Sequence, residues 1–177
     1  RGFTWETAEL FEVRYDPVTK ALVWPVRDRD FNTLGLVMRR LSGEPKYQYS
    51  HGFPRRAALF PLSHVRGSRL VVVEGVLDAV WLHQCGWSGG VATLGAGVTR
   101  AQARCLSELA VEVTLVMDAD EAGRRGTAFL VRELGPLISV RVADLGKYND
   151  PQEMPRETLE AVIKSARRVF SSHGLGG

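Results

Sequence analysis

The sequence predicts an α/β protein in which a parallel sheet of about four strands, flanked by helices, follows a small α+β basic subdomain. Leu70–Val73 is apolar at every position and Val113–Met117 at every position except Thr114, as in strands that are buried on both faces of a parallel sheet. Each run precedes a stretch with helical spacing, and such alternation is typical of βαβ units. We therefore divide the chain into an N-terminal subdomain (1–66), an α/β domain (67–155) and a C-terminal helix and tail (156–177).

The N-terminal subdomain is predicted to hold one helix and two strands before a long irregular stretch. Thr4 is the predicted N-cap of a helix that runs to Phe11. Strands are predicted at Ala21–Val26 and Thr33–Arg39. No period is visible from Ser42 to Pro61, and a loop of that length in a folded domain is usually functional.

Strands and helices are predicted to alternate through the α/β domain, at Leu70–Val73, Val76–Cys85, Gly90–Thr93, a helix opening at Thr99, Val113–Met117, Glu121–Leu134 and Ser139–Ala143. Thr99 and Gln102 fit a capping box at the start of their helix. A last helix is predicted to begin at Pro155, and its apolar positions continue at helical spacing to Phe170.

The composition is that of an ordinary globular protein, with 45% hydrophobic and 24% charged residues. Its apolar runs are far shorter than the roughly 20 residues of a membrane-spanning helix, and from its first residues we expect no secretory signal. Cys85 and Cys105 have no CxxC partner, which indicates reduced thiols and no zinc site. We therefore expect a cytoplasmic protein without a membrane partner. Because the chain begins at Arg1 rather than Met, we also expect a fragment of a longer protein.

The net charge of +3 is unevenly distributed. Basic residues crowd the first 70 positions, namely Arg27, Arg29, Arg39, Arg40, Lys46, Arg55, Arg56, Arg66 and Arg69. A basic region beside an acidic site suits a polyanion that is bridged to a carboxylate-bound metal. A basic face that merely keeps the protein soluble would explain the same distribution.

Carboxylates follow three of the predicted strands. Glu74 directly follows the first strand of the α/β domain, Asp118 and Asp120 follow the third, and Asp150 lies in the loop after the fourth. Asp78 lies one helical turn beyond Glu74 and on the same face. Ligands of open parallel sheets bind beyond the carboxyl ends of the strands, so these side chains are predicted to meet at one edge.

Clustered carboxylates repel one another, and a divalent cation is the natural compensator. Oxygen ligands without His or Cys favour Mg²⁺ or Mn²⁺ over zinc. Taken singly, these residues have plainer interpretations: Asp120 as a helix N-cap, Asp150 as a turn residue, and Glu74 as a cap or a surface charge. The agreement of three strand ends favours the metal site.

Four segments resemble the motifs of TOPRIM domains and occur in the expected order. Glu74–Ala79 resembles the EGxxD motif and Asp118–Arg124 resembles the DxDxAGR motif. Thr93–Gly97 resembles the turn between them, and Gly146–Pro151 is similar to the later GKDPD-type segment. The second aspartate of that last segment is replaced here by Gln152.

The upstream segments narrow the resemblance to DNA primases of the DnaG type from bacteria and phages. Trp24–Asp28 resembles their FPIRD strand, Gly35–Arg39 their GFGGR segment, and Pro45–Ser50 their PKYLNS segment. The usual Asn of the last segment is Tyr49 here. The resemblance spans roughly residues 3–155.

The resemblance implies a site, its ions and its partners. Two or more Mg²⁺ or Mn²⁺ ions would be bound by Glu74, Asp78, Asp118, Asp120 and Asp150, of which Glu74, Asp118 and Asp120 would be catalytic. Template or nucleotide would be held by Arg39, Lys46, Arg55 and Arg56, and triphosphate would be contacted by Arg124 and Lys147. The implied partners are single-stranded DNA template, nucleoside triphosphates and, through regions absent here, a replicative helicase.

Three functions follow from these features. The first is metal-dependent nucleotidyl transfer that makes RNA primers for replication, with the isolated fragment possessing little activity alone. The second is strand cleavage by a TOPRIM nuclease or a topoisomerase-like enzyme. The third is a non-catalytic module that binds single-stranded DNA in a primase-helicase. A P-loop ATPase is disfavoured because the sequence contains no GxxxxGK[ST] motif.

Overall fold

Two sheets organise the computed structural model, which describes residues 2–95 and 97–169. The first is an antiparallel sheet of four strands in the order β1-β2-β3-β4, and the second has five strands in the order β6-β5-β7-β8-β9. No helix within these residues is long and apolar enough to cross a membrane.

The N-terminal part contains helix α1 (Trp5–Leu10) and strands β1 (Arg14–Asp16), β2 (Ala21–Arg27), β3 (Thr33–Arg40) and β4 (Tyr47–Tyr49). Thr4 caps α1 as predicted, since its hydroxyl accepts a hydrogen bond from the Thr7 amide at 3.2 Å. The two predicted strands are confirmed as β2 and β3. Three residues are too few to show a period, and for that reason β1 and β4 were not predicted.

The second part contains β5 (Arg69–Val73), α2 (Val76–Gln84), β6 (Gly90–Ala92), α3 (Arg100–Leu109), β7 (Glu112–Leu115), α4 (Glu121–Leu134), β8 (Ser139–Val142), α5 (Arg156–Ser165) and β9 (Arg167–Val169). Strands β5 to β8 are parallel, which confirms the predicted parallel sheet. The capping box at α3 is also confirmed, because the Thr99 hydroxyl accepts from the Gln102 amide while the Gln102 carboxamide accepts from the Thr99 amide.

The last predicted helix is too long. It ends at Ser165, and β9 then pairs antiparallel with β8, from Val140 opposite Val169 to Val142 opposite Arg167. The guanidinium of Arg141, on β8, donates to the Ala166 carbonyl at 2.7 and 3.0 Å, which holds the chain where it leaves the helix. Phe170 lies outside the described residues.

Alternate side chains of β5 enter two different cores. Val71 and Val73 pack with helix α2 and with Trp24 of the antiparallel sheet. Leu70 and Val72 point to the opposite face and pack with α3 and α4. Fully burying one such side chain contributes about 1.5–3 kcal/mol. The antiparallel sheet thus shares a core with one face of the parallel sheet, and the division of the chain at residues 66 and 155 stays a prediction.

The carboxyl ends of the parallel strands meet at one edge. Val72 of β5 pairs with Leu115 of β7, which in turn pairs with Val142 of β8. Backbone hydrogen bonds of 2.6 and 3.0 Å between Phe60 and Ala92 tie the preceding irregular segment to β6. The residues that follow each strand are therefore brought to a common edge.

Candidate active site at the carboxyl edge of the parallel sheet

Glu74 directly follows β5 and is only 7% exposed. Its Oε1 atom accepts a hydrogen bond from the backbone amide of Asp118 at 3.3 Å, which joins the ends of β5 and β7. Burial raises the pKa of Glu74, the Asp118 amide opposes that rise, and the charge of Asp120 adds to it. The side chain is therefore an acid at which neighbouring charge favours a bound proton or a cation.

Asp118 lies just beyond β7 and is half-buried. Burial, and then the neighbouring carboxylates, raise its pKa to about 8; in order of size the contributing charges are Asp78, Glu74, Asp150 and Asp120. Within the described residues, its Oδ1 atom is buried and has no hydrogen-bond partner. A buried acceptor without a partner is costly, so this oxygen is suited to a proton or a cation.

Asp78 lies one turn into α2 and is 7% exposed. Its Oδ2 atom accepts a hydrogen bond from the Gly75 amide at 3.1 Å. Burial and the charge of Asp150 raise the pKa of Asp78 to about 7, against the opposing effect of backbone hydrogen bonds from Gly75 and Gln152. Glu74 and Asp78 are thus two buried acids with raised pKa values near the same strand ends, as is common at functional sites.

Asp120 caps α4, and Asp150 caps a short 3₁₀ helix, Pro151–Glu153. The Oδ1 atom of Asp120 accepts from the Gly123 amide at 2.8 Å at the start of α4, and that of Asp150 accepts from the Glu153 amide at 3.0 Å. The plainer interpretation of both residues, as caps, therefore describes one oxygen of each. An ionised carboxylate has about four acceptor sites, so capping and cation binding are compatible.

Gly123 permits α4 to begin against the acidic residues. A Cβ atom at this position would lie 2.0 Å from the Asp118 carbonyl oxygen and 2.8 Å from Glu74 Oε1. Atoms cannot approach so closely, so a side chain here would displace the backbone of Asp118. The close approach of Asp118 and Glu74 therefore explains why the DxDxAGR-like segment has a glycine at position 123.

The five carboxylates do not form a closed metal site. In the part of the chain that the structure describes, no three His, Cys, Asp or Glu side chains lie close enough together to hold an ion. Each of four carboxylates accepts a hydrogen bond from a backbone amide. The buried, unpartnered Asp118 oxygen and an all-oxygen donor set nevertheless fit Mg²⁺ or Mn²⁺. The metal ligands stay a prediction.

Arg39 and Lys46 lie on the β3–β4 hairpin. Arg39 is 8% exposed, and its guanidinium lies over the Tyr47 ring at 5.7 Å from the centroid. Burial raises the pKa of Tyr47, Arg39 lowers it, and the charge of Asp78 raises it further. Tyr47 is therefore close enough to interact electrostatically with both the basic hairpin and the acidic edge. Lys46 is exposed, and its backbone amide donates to Glu44 at 2.9 Å.

Arg55 and Arg56 lie in the irregular segment and face the turn after β6. They line a cavity of about 230 Å³ together with Gly95, Gly97 and Gln102, among others. Arg55 is half-buried and donates from Nε to the Leu94 carbonyl at 2.9 Å, while Arg56 is exposed. The structure thus places both residues beside the turn whose amide at Gly95 donates to the Glu74 carbonyl at 3.0 Å.

Arg124 lies in the first turn of α4, and Lys147 lies in the loop after β8. Arg124 is exposed and donates from Nη1 to the Ala119 carbonyl at 2.8 Å. With Asp118 and Asp144 it lines a cavity of about 410 Å³. The Lys147 ammonium lies 5.4 Å from the centroid of the Tyr148 ring. Their predicted contact with triphosphate stays a prediction.

Sequence reasoning missed the part that Gln102 plays. Its side chain is 1% exposed, and its Nε2 atom donates to the carbonyls of Ala58 at 2.9 Å and Thr93 at 2.7 Å. This amide joins the irregular segment to the turn after β6. The capping box indicated only the role of its oxygen, because the partners of its nitrogen are distant in the sequence.

Comparison with known proteins identifies the domain. Residues 68–144 match the family model of the Toprim domain. The chain is 32% identical over 163 residues to the DNA primase of Deinococcus radiodurans and 29% identical over 169 residues to that of Clostridium acetobutylicum. These alignments cover 86% and 89% of this chain but only 28% of the length of each relative.

Solved structures share this fold. The Aquifex aeolicus primase structure, which contains zinc-binding and RNA polymerase domains, superposes with a TM-score of 0.83, covering 95% of this chain and 54% of that one at 23% identity. A structure of the DnaG primase catalytic domain bound to single-stranded DNA gives 0.80, covering 95% and 69% at 22% identity. At this identity the likeness shows the fold.

Residues 68–144 thus belong to the Toprim domain family. In this chain they form a parallel sheet with acidic residues at the carboxyl ends of its strands. The chain as a whole is a relative of the bacterial DNA primases, and its fold is that of the DnaG catalytic core.

Proposed function

We propose that this chain is the catalytic core of a DNA primase, which joins ribonucleotides on a single-stranded DNA template by metal-dependent nucleotidyl transfer. The observation that carries the proposal is Asp118, a half-buried carboxylate whose Oδ1 atom is buried and unpaired and whose pKa is raised to about 8 by burial and by four neighbouring acids. Such a group is suited to a divalent cation, which would replace the proton.

The side chains divide into two sets in this mechanism. Glu74, Asp78, Asp118, Asp120 and Asp150 would hold the ions. Bound Mg²⁺ or Mn²⁺ would lower the pKa of the attacking 3′-hydroxyl and neutralise charge on the phosphates. The basic residues Arg39, Lys46, Arg55 and Arg56 would hold the phosphates of template or nucleotide, while Arg124 and Lys147 would contact the triphosphate. No side chain is required as a nucleophile.

The comparisons support this choice over strand cleavage. The alignment to DNA primases includes the basic segment before residue 68, which a Toprim domain alone would not require. One similar structure is a DnaG catalytic domain bound to single-stranded DNA, which supports the same partner here. Nucleoside triphosphates and a replicative helicase complete the proposed partners.

A specific observation favours one alternative. No three acidic side chains within the described residues approach closely enough to hold an ion, and Gln152 replaces an aspartate of the motif. Both features suit a non-catalytic module that binds single-stranded DNA and has lost its metal.

Manganese binding by calorimetry separates these functions. We expect the chain to bind Mn²⁺, and the Asp118→Ala, Asp120→Ala double variant to lose that binding while its circular dichroism is unchanged. Affinity should rise between pH 6 and 8, because Asp78 and Asp118, with pKa values of about 7 and about 8, must release protons.

The matched control removes two carboxylates elsewhere. Asp28→Ala with Asp30→Ala removes the same charge from the turn between β2 and β3 and should bind Mn²⁺ normally. If the unmodified chain binds no Mn²⁺ with or without nucleoside triphosphate, the catalytic proposal fails and the DNA-binding module replaces it. If Mn²⁺ binds, template-directed RNA synthesis by the protein at its full natural length is the next measurement.

A further inference from the structure

The Leu94 carbonyl accepts two side-chain hydrogen bonds from the basic part of the chain. The Tyr49 hydroxyl donates to it at 3.0 Å and Arg55 Nε donates at 2.9 Å. Leu94 is 1% exposed and has a φ of +65°, which is uncommon for a residue with a side chain. Such a backbone persists only when its surroundings hold it, and these two donors contribute to that.

The face of the Tyr49 ring packs against the Arg55 guanidinium. The guanidinium lies 4.5 Å from the ring centroid, a cation–π contact. Tyr49 in turn stacks on Phe53, with 5.9 Å between centroids and an interplanar angle of 25°. On another side the guanidinium lies against Gly95, where a Cβ atom would be 2.8 Å from Arg55 Nη2. Arg55 is therefore held by a hydrogen bond, a ring face and a glycine.

Arg55 is held beside a turn that also contacts the acidic edge. The Gly95 amide donates to the carbonyl of Glu74 at 3.0 Å, so the turn that contacts Arg55 also contacts the acidic edge. Arg55 and Arg56 line the same cavity of about 230 Å³, beside two glycines. Guanidinium groups bind phosphate oxygens in bidentate geometry, and only one of the five Arg55 N–H donors is used by Leu94.

We propose that Tyr49 is a positioning residue, which holds Arg55 in place to bind a phosphate group at the acidic edge. This inference rests on the proposed function and adds to it a named residue that acts through Arg55. In the primase segment that residues 45–50 resemble, the position is Asn, which has neither the ring nor the phenolic hydroxyl. This chain would thus position its arginine by different contacts.

Binding measurements with conservative variants test the inference. Tyr49→Phe removes one hydrogen bond and keeps the ring, and we expect it to weaken phosphate-dependent binding by about threefold to tenfold. Arg55→Gln should weaken binding at least as much and lower the salt dependence by about 0.7 in log K per log salt for a single strand. Tyr15→Phe, exposed on β1, is the matched control and should bind normally.

A double-mutant cycle separates positioning from a merely structural role. If Tyr49 acts through Arg55, Tyr49→Phe should cause no further weakening in the Arg55→Gln background. The same loss in both backgrounds would overturn the inference, as would unchanged binding by Tyr49→Phe. Arg55→Lys keeps the charge but not the planar guanidinium, so this variant should still bind phosphate weakly. Full binding by Arg55→Lys would count against positioning.

Two probes identify the source of the phosphate. If Tyr49→Phe binds a fluorescein-labelled oligothymidylate more weakly, as measured by anisotropy, the phosphate belongs to the template. If the variant binds ATP with MnCl₂ more weakly, as measured by calorimetry, the phosphate belongs to the nucleotide. If the unmodified chain binds neither probe, the proposed function itself fails and this inference with it. If the unmodified chain binds and Tyr49→Phe binds both probes equally well, only the inference fails.

Discussion

Asp118 lies half-buried beyond β7, where burial and neighbouring carboxylates raise its pKa from 3.8 to about 8. Between these two values the folded chain retains a proton that the unfolded chain has lost. Stability must therefore fall as pH rises through this window, since the native state binds more protons than the unfolded state. The same sign holds for Asp78, whose pKa is raised to about 7.

Asp118→Asn should flatten this pH dependence, because the amide has no proton to lose. Between pH 5 and pH 8 we expect the free energy of unfolding of the unmodified chain to fall by about 1–2 kcal/mol more than that of the variant, after discounting for solvent at a half-exposed side chain. Urea denaturation at both pH values measures the difference. Equal slopes would mean that Asp118 does not titrate in this range.

The carboxylates were predictable from the sequence, whereas their neighbours were not. Glu74 and Asp118 follow strands made mainly of apolar residues, and Asp150 lies in the loop after β8, so the strand-end rule identifies their edge without coordinates. The contact of Tyr49 with Leu94 joins residues 45 positions apart and leaves no local pattern. Sequence patterns report what is near in the chain, whereas the hydrogen bonds of the Tyr49, Arg55 and Gln102 side chains to Leu94, Ala58 and Thr93 join residues that are farther apart in it.

At the scale of the element, α4 shows how a helix can be fixed by one position. It begins at Glu121 with Asp120 as its N-cap, and both ends were predicted correctly from the apolar spacing and the cap. Its approach to Asp118 depends on Gly123, where a Cβ would meet a carbonyl oxygen at 2.0 Å. The steric demand belongs to the packing and was not visible in the helix pattern.

Gly123→Ala and Gly126→Ala form a matched pair within α4. The first should destabilise the chain by about 2–3 kcal/mol, because the backbone of Asp118 must move. At Gly126 a Cβ would meet the flexible end of Met117 at 3.2 Å, so the better helix propensity of Ala should keep the change within about 1 kcal/mol. Urea unfolding compares them, and equal effects would contradict the steric explanation.

Helix α5 and strand β9 mark the limit of periodicity as a predictor. Ala166 and Phe170 continue the apolar spacing of α5, yet the helix ends at Ser165 and the chain pairs with β8. The hydrogen bonds from Arg141 to the Ala166 carbonyl come from another strand, so the end of the helix is set by tertiary structure.

At the scale of the whole molecule, the two sheets share one core. Trp24 of the antiparallel sheet is 1% exposed and packs in the same cluster as Val71, Val73 and residues of α2. Because neither sheet completes this core alone, the two parts should unfold together in one cooperative transition.

Trp24→Ala tests this coupling. Loss of a buried aromatic side chain should cost about 3–5 kcal/mol of the free energy of unfolding. Trp5→Ala, at a position that is 74% exposed, should cost less than about 0.5 kcal/mol. Circular dichroism and tryptophan fluorescence during denaturation should give coincident transitions for the unmodified chain. Separate transitions would show that the two sheets unfold independently.

The shared core also has a consequence for synthesis on the ribosome. Chains emerge from the amino terminus at roughly 5–20 residues per second, so strands β1 to β4 appear before β5 and α2 have been made. The inner face of the antiparallel sheet, with Trp24, Val26 and Val37, has its partners only once α2 is complete at Gln84. During that interval the nascent chain presents an apolar sheet face to its surroundings, which is the kind of surface that chaperones bind.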